Sequence, residues 1–289
     1  MQTIVLGLVS GTLYALIALG ITLVYKSSRI LNFAQAEVGT LALYWTWWIA
    51  GRNGQPWALG AVAAIAFSVA VSLLFERFVI RPMFAASRVS LAVATIGLLA
   101  LMIAIEEALF AGSIKEIPPP LSSGGFSVAG VVISPTQELS LLVAVAIAVV
   151  LGVFLRFTDF GLGVLATADD PEAARLMGVS RARVSVFTWG TAGVLSALAA
   201  LLVEPSIGAL APGVFSGGLF LGGFTAALLG GLTSLPGAFV GGIAVGIIEA
   251  EVKAHLVFVS APALQDVAML VIVTLVLLAR PQGLLGRAS

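Results

Sequence analysis

"ATADDPEAARLMGVSRARV" (residues 166–184) stands out from its surroundings. Six of the fifteen residues from Asp169 to Arg183 are charged, in a chain where charged residues make up 10%. Local chemistry predicts a short helix here. Asp169 or Asp170 is a capping residue, Pro171 suits the first helical position, and Glu172 suits the positive end of the helix dipole. Ala173, Ala174, Leu176 and Met177 supply propensity and an apolar face, and Gly178 is a natural stop. Such a helix has about two turns, roughly 10–12 Å. Alone in water it would be marginal, so it needs something to pack against. Two readings stand: an ordinary capped turn, or a docking peg that seats in a groove on a soluble partner.

On either side the chain is almost purely apolar. Of its 289 residues 60% are hydrophobic, and the mean hydropathy is +1.13. Soluble domains are nearer 45–50% apolar and about 25% charged, so the expected solvent is lipid. The absence of cysteine excludes disulfides and thiolate metal sites. Net charge is zero, which suggests no nucleic-acid partner. The apolar first segment lacks a basic flank and a small-residue cleavage site, so it is expected to be a retained span.

A span needs about 20 apolar residues. Nine candidates follow: 3–25, 32–50, 57–75, 90–110, 139–155, 184–203, 217–232, 237–249 and 263–278. The second opens with polar residues. The seventh and eighth are short and glycine-rich, as half-helices or a re-entrant pair would be. The expected fold is therefore an all-α polytopic membrane protein of about 8–10 transmembrane helices, some short or broken, in one bundle over residues 1–289. With the N-terminus outside, alternation puts eleven basic residues inside (Lys26, Arg29, Arg77, Arg81, Arg88, Arg156, Arg175, Arg181, Arg183, Arg280 and Arg287) and three outside (Arg52, Lys115 and Lys253). This positive-inside bias predicts an outer N-terminus, a cytoplasmic C-terminus and a cytoplasmic position for the charged stretch. The long outer loop 111–138, with Pro118, Pro119 and Pro120, reads as irregular with a short hairpin.

Ionisable groups at membrane depth are functional candidates. Asn32, Gln35, Glu37 and Thr40 begin the second span. Glu37 is read either as pairing with Lys26 or Arg29 at the inner interface, or as a path or gate residue. Glu106 and Glu107 are expected at the outer interface. Glu204 is expected to face an external partner, and His255 an outer loop. Glycines four apart (Gly7/Gly11, Gly218/Gly222, Gly237/Gly241, Gly242/Gly246) predict close helix packing. Trp45, Trp47, Trp48 and Trp57 form an aromatic belt. The sequence holds no Walker A, H-E-x-x-H or G-x-S-x-G pattern, so no enzyme is expected and any nucleotide must sit on another chain.

Four stretches resemble the permeases of branched-chain amino acid ABC importers: "DDPEAARLMGVSRARV", "GLVSGTLYALIALGITLVYKSSRILNFAQAE" (7–37), "ATIGLLALMI" (94–103) and "LLGGLTSLPGAFVGGIAVGIIE" (228–249). The family commonly has His-Gly where this chain has Gln35–Ala36, and an amide or apolar residue at Glu106 and Glu107. The resemblance implies a coupling loop at about 158–183, in which Asp170, Pro171, Glu172, Ala173, Ala174, Arg175 and Gly178 engage ATPase subunits. It also implies a path or gate that includes Asn32, Gln35, Glu37 and Thr95. The implied partners are two cytoplasmic ATPases, which carry the ATP and Mg, a second and different permease chain, and a periplasmic or extracellular binding protein. The chain itself would bind no cofactor, and its home would be the bacterial inner membrane. The alternative is a self-contained secondary transporter or channel for a small polar solute, with Glu37 as its coupling acid.

Overall fold

A computed structural model describes residues 2–110, 114–121, 125–128, 131–255 and isolated positions beyond. The described residues form ten helices and one hairpin: α1 (Gln2–Ser28), α2 (Glu37–Thr46), α3 (Trp57–Phe75), α4 (Arg88–Phe110), β1 (Phe126–Val128), β2 (Val131–Ile133), α5 (Pro135–Phe157), α6 (Asp159–Asp169), α7 (Pro171–Leu176), α8 (Arg181–Ile207), α9 (Gly218–Gly230) and α10 (Leu235–His255). Single π-helical turns extend α2 over Trp47–Arg52 and α3 over Glu76–Ile80. Six of the described helices are long and apolar enough to cross a membrane: α1, α3 with its π turn, α4, α5, α8 and α10. The ninth candidate span, 263–278, lies outside the described residues apart from isolated positions.

Two candidate spans are not simple crossings. The segment expected to cross as 32–50 does so only in part. Residues 29–36 are non-helical and buried or half-buried, and the helix starts at Glu37. Arg29 ends α1 in a left-handed conformation, φ 58°, and the chain climbs back into the bundle before α2 begins. The opposite happens after α8. Gly208 caps that helix at φ 67°, residues 208–217 re-enter, and α9 runs back for 13 residues. That is roughly 20 Å, short of a hydrocarbon core of about 30 Å. Non-helical backbone is tolerated at such depth only inside protein or along a cavity; the second segment is anchored by the buried Leu210 and Phe215. The eighth candidate proves longer than expected: α10 spans 21 residues.

α1 and α8 form the centre, with 67% and 61% of their apolar windows buried, against 28% for α4 and 22% for α5. The outward faces of α4 and α5 therefore need lipid or another chain. α1 and α10 pack antiparallel through the predicted glycines. A Cβ on Gly246 would lie 2.3 Å from the Gly11 nitrogen, and one on Gly242 would lie 2.5 Å from the Ala15 Cα. In lipid, such backbone contact and its dispersion energy replace the hydrophobic effect as the packing force.

One end of the bundle holds Lys26, Arg29, Arg77, Arg81, Arg88, Arg156, Arg175, Arg181 and Arg183. The opposite end holds Arg52, Lys115 and Lys253. At the basic end, Arg81 clamps the wholly buried Glu76 with two bonds, 2.9 and 3.2 Å. Removing one partner of a buried pair strands the other. Arg81→Met is therefore expected to cost about 3 kcal/mol. The double variant Glu76→Gln/Arg81→Met should recover most of it, as measured by thermal unfolding in detergent.

Candidate functional sites: a mounted peg and a buried carboxyl pair

The charged stretch forms α7, and its cap is Asp170. The Asp170 carboxylate accepts from the Glu172 N–H at 2.9 Å and the Ala173 N–H at 3.0 Å. Pro171 occupies the first turn, and Gly178 ends the motif at φ 87°. The peg sits on a platform that the sequence only hinted at. α6 is capped by Thr158, which accepts from the Gly161 N–H at 3.0 Å. Gly161 brings α6 against the α5 backbone, where a Cβ would lie 2.3 Å from the Phe154 oxygen. Phe154, Phe160 and Phe187 cluster with centroids 5.1–6.4 Å apart. Arg29 reaches from the end of α1 to the Ala168 carbonyl, 3.2 Å. On the far side of the loop, the Arg181 guanidinium lies 4.3 Å from the Phe84 ring centre.

This mounting splits the predicted apolar face. Ala174 is buried, 4% exposed, and belongs to the platform contact. Leu176 and Met177 are 88% and 85% exposed. These are the most exposed large apolar residues among those described, and they sit together on a rigid, capped turn. Asp170→Ala removes two backbone partners and should cost about 1 kcal/mol. Faster proteolysis or hydrogen exchange confined to 166–180 is the readout.

The second site lies where the two re-entrant segments meet. Asn32 Oδ1 accepts from the Ala34 N–H at 3.2 Å, and its amide donates to Gln35 Oε1 at 3.0 Å. The Gln35 amide donates to the Ala192 carbonyl of α8 at 2.8 Å. The Ser196 hydroxyl donates to the Gln35 carbonyl. Thr95 of α4 donates to the Leu31 carbonyl at 3.0 Å and accepts from the Phe33 N–H at 3.4 Å. Asn32, Gln35 and Thr95 thus fold the re-entrant backbone, and all three are buried.

Glu37 is placed differently from both ends of its expected pairing. It meets Glu106, and Lys26 and Arg29 stay with the basic end. A single N–H, that of Gly213, donates to Glu37 Oε1 and to Glu106 Oε2, 3.1 Å each. Both acids are 0% exposed. Glu106, expected at the outer interface with Glu107, faces into the bundle, and Glu107 is exposed on the outside of α4. One residue, 100° of helix rotation, separates a side chain inside the bundle from one outside. Gly213 adopts φ 71°, and the Ser216 hydroxyl donates to its carbonyl at 2.7 Å. Tyr44 lies two turns along α2 from Glu37, stacked on Phe110 with ring centres 3.9 Å apart.

At the end opposite the peg, Lys115 and Leu210 exchange backbone bonds of 3.0 and 2.9 Å. The Lys115 ammonium lies 4.8 Å from the Trp47 ring centre. Glu204, expected to face an external partner, is 1% exposed beneath this loop, where the Ile117 N–H reaches it. His255 ends α10 with Nδ1 2.9 Å from the Glu251 carbonyl.

A multi-pass bundle with two half-crossings and a capped helix at its basic end defines the class: an all-α polytopic membrane protein. The family described as branched-chain amino acid transport system, permease component, matches residues 3–279. The chain belongs to that family, and is accordingly a transporter component and not an enzyme. It is 33% identical to the high-affinity branched-chain amino acid transport permease BraD of Pseudomonas aeruginosa, over 99% of this chain and 96% of that one. It is 31% identical to LivH of Escherichia coli, a permease of the same description, over 97% and 94%. Among solved structures, PsaBC from Streptococcus pneumoniae in complex with Fab shares the fold, with a TM-score of 0.50 over 95% of this chain and 91% of that one, at 13% identity. Permeases of this family work with ATPase and substrate-binding partners.

Proposed function

We propose that this chain is one membrane subunit of an ATP-driven, binding-protein-dependent importer of branched-chain or related amino acids. It forms part of the translocation path in the bacterial inner membrane, with its N-terminus outside and its C-terminus in the cytoplasm. Two ATPases, which carry the ATP and Mg, dock on the peg. A different permease chain covers the thinly packed face of α4 and α5. A binding protein delivers cargo at the end marked by Lys115 and the hairpin. The observation that carries this reading is the mounted peg at the basic end, with Leu176 and Met177 turned outward. The split of basic residues between the two ends supports the orientation.

The test is purification of the tagged protein from its native membrane in mild detergent, with its companions identified. ATPase subunits are expected on the tag, and lost with Leu176→Glu/Met177→Glu. The buried Glu37–Glu106 pair favours one second reading, an ion-coupled secondary transporter. Recovery of the chain alone, able to move a solute down an ion gradient in liposomes, would establish that reading instead.

A further inference from the structure

Three buried polar atoms share one neighbourhood and have no hydrogen-bond partner: Glu37 Oε2, Glu106 Oε1 and the Tyr44 hydroxyl oxygen. Glu37 and Glu106 each spend their other oxygen on the Gly213 N–H. Among the described residues the two acids also lie within hydrogen-bond reach of each other, Ser216 and Thr40 reach Glu37, no positive group acts on either acid, and both acids act on Tyr44. Buried polar atoms are normally satisfied, so two orphaned carboxyl oxygens beside a hydroxyl that can accept or donate call for a polar guest. Two carboxylates that share a single N–H repel unless a proton or a cation sits between them. An alkylammonium fits this demand: three N–H donors and one positive charge for three acceptors and two acids.

The surroundings narrow the class further. Tyr44 also lines an apolar cleft of about 470 Å³, together with Leu41, Trp45, Phe67, Met102 and Ile105. The cleft lies between α2, α3 and α4, and α4 is held to the bundle mainly through α2. Tyr44 is the residue that the cleft and the carboxyl pair have in common.

Building on that reading of function, we propose that Glu37, Glu106 and Tyr44 form a station on the path that holds the α-ammonium of the travelling amino acid, with its apolar side chain in the neighbouring cleft. Gly213 keys the two acids together when the station is empty. Movement of α4 away from α2 parts them for cargo.

The experiment uses the complete importer in liposomes, with its binding protein and ATP. Leucine uptake is measured alone, with isoamylamine (an ammonium on an apolar chain) and with 4-methylpentanoate (the same chain without one). Glu37→Gln and Glu106→Gln keep shape and hydrogen bonding. Each should lower uptake about tenfold, the worth of one charge-assisted bond. Tyr44→Phe should lower it about threefold. Isoamylamine should inhibit the wild type and 4-methylpentanoate should not. The amine's effect should fade in Glu37→Gln/Glu106→Gln, although the binding protein is the same. Companion recovery and melting temperature report assembly.

No uptake by the wild-type importer overturns the reading of function and this inference with it. Wild-type uptake that persists unchanged in the double variant overturns the inference alone. So does a loss of uptake that merely follows a loss of assembly. Uptake that depends on both acids and on pH but ignores isoamylamine assigns the pair to a proton, and that also overturns the ammonium station.

Discussion

Gly246→Leu should abolish accumulation of folded protein. The reason is contact between backbones. α1 and α10 touch so closely that a single methyl on residue 246 would stand 2.3 Å from the Gly11 nitrogen and 2.4 Å from the Gly11 Cα. No side chain there can rotate away, so the helices themselves must part. Parting also breaks the contacts of Gly7 with Ile247 and of Gly242 with Ala15 along the same seam. Overpacking commonly costs about 1–3 kcal/mol when side chains can give way. Here they cannot, and in lipid no hydrophobic effect pulls the helices back together. Loss of more than about 3 kcal/mol is expected, enough to leave a membrane protein misassembled. The check is a fluorescent fusion followed by size exclusion. Gly152→Leu on α5 is the control: nothing lies within 4 Å of a Cβ there, and its profile should match the wild type.

Leu176→Glu/Met177→Glu should stop transport and leave the bundle intact. Both side chains are almost fully exposed on a turn whose backbone is fixed by Asp170, Gly178 and the α6 platform. Covering a large apolar side chain contributes about 1.5–3 kcal/mol. Replacing two such contacts by carboxylates in an apolar groove should weaken ATPase binding by at least about a hundredfold. Uptake should fall with it, and the melting temperature of the permease should not. An unchanged yield of ATPases on the tagged double variant would return the peg to a capped turn. Ala174 is a poorer probe. It faces the platform, so a bulky residue there would unseat the peg and test its mounting.

Much of this arrangement is legible in the residues. Composition alone separates lipid from water as the solvent. The Asp170–Gly178 helix carries its own start and stop signals, because caps and helix breakers act over three or four residues. The glycine spacing in α1 and α10 announces a close seam, because that spacing defines one helix face. Alternation of spans alone divides the basic residues between the two ends as the structure does, apart from Arg280 and Arg287, which lie outside the described residues.

The tertiary structure decided what depends on residues distant in sequence. The candidate span 32–50 reads as one crossing with a polar start, yet its first turn is held open by Gln35 on Ala192, Ser196 on Gln35 and Thr95 on Leu31. Those partners lie 64 or more residues away. Glu37 has two near basic residues in sequence and pairs with neither. Its neighbours are Glu106 and Gly213, brought in by α4 and by the loop after α8. Amphipathic period and capping are local and survive in any context. Which buried carboxyl meets which is set by how the helices cross, and a one-residue rotation of α4 would have put Glu107 in the bundle in place of Glu106.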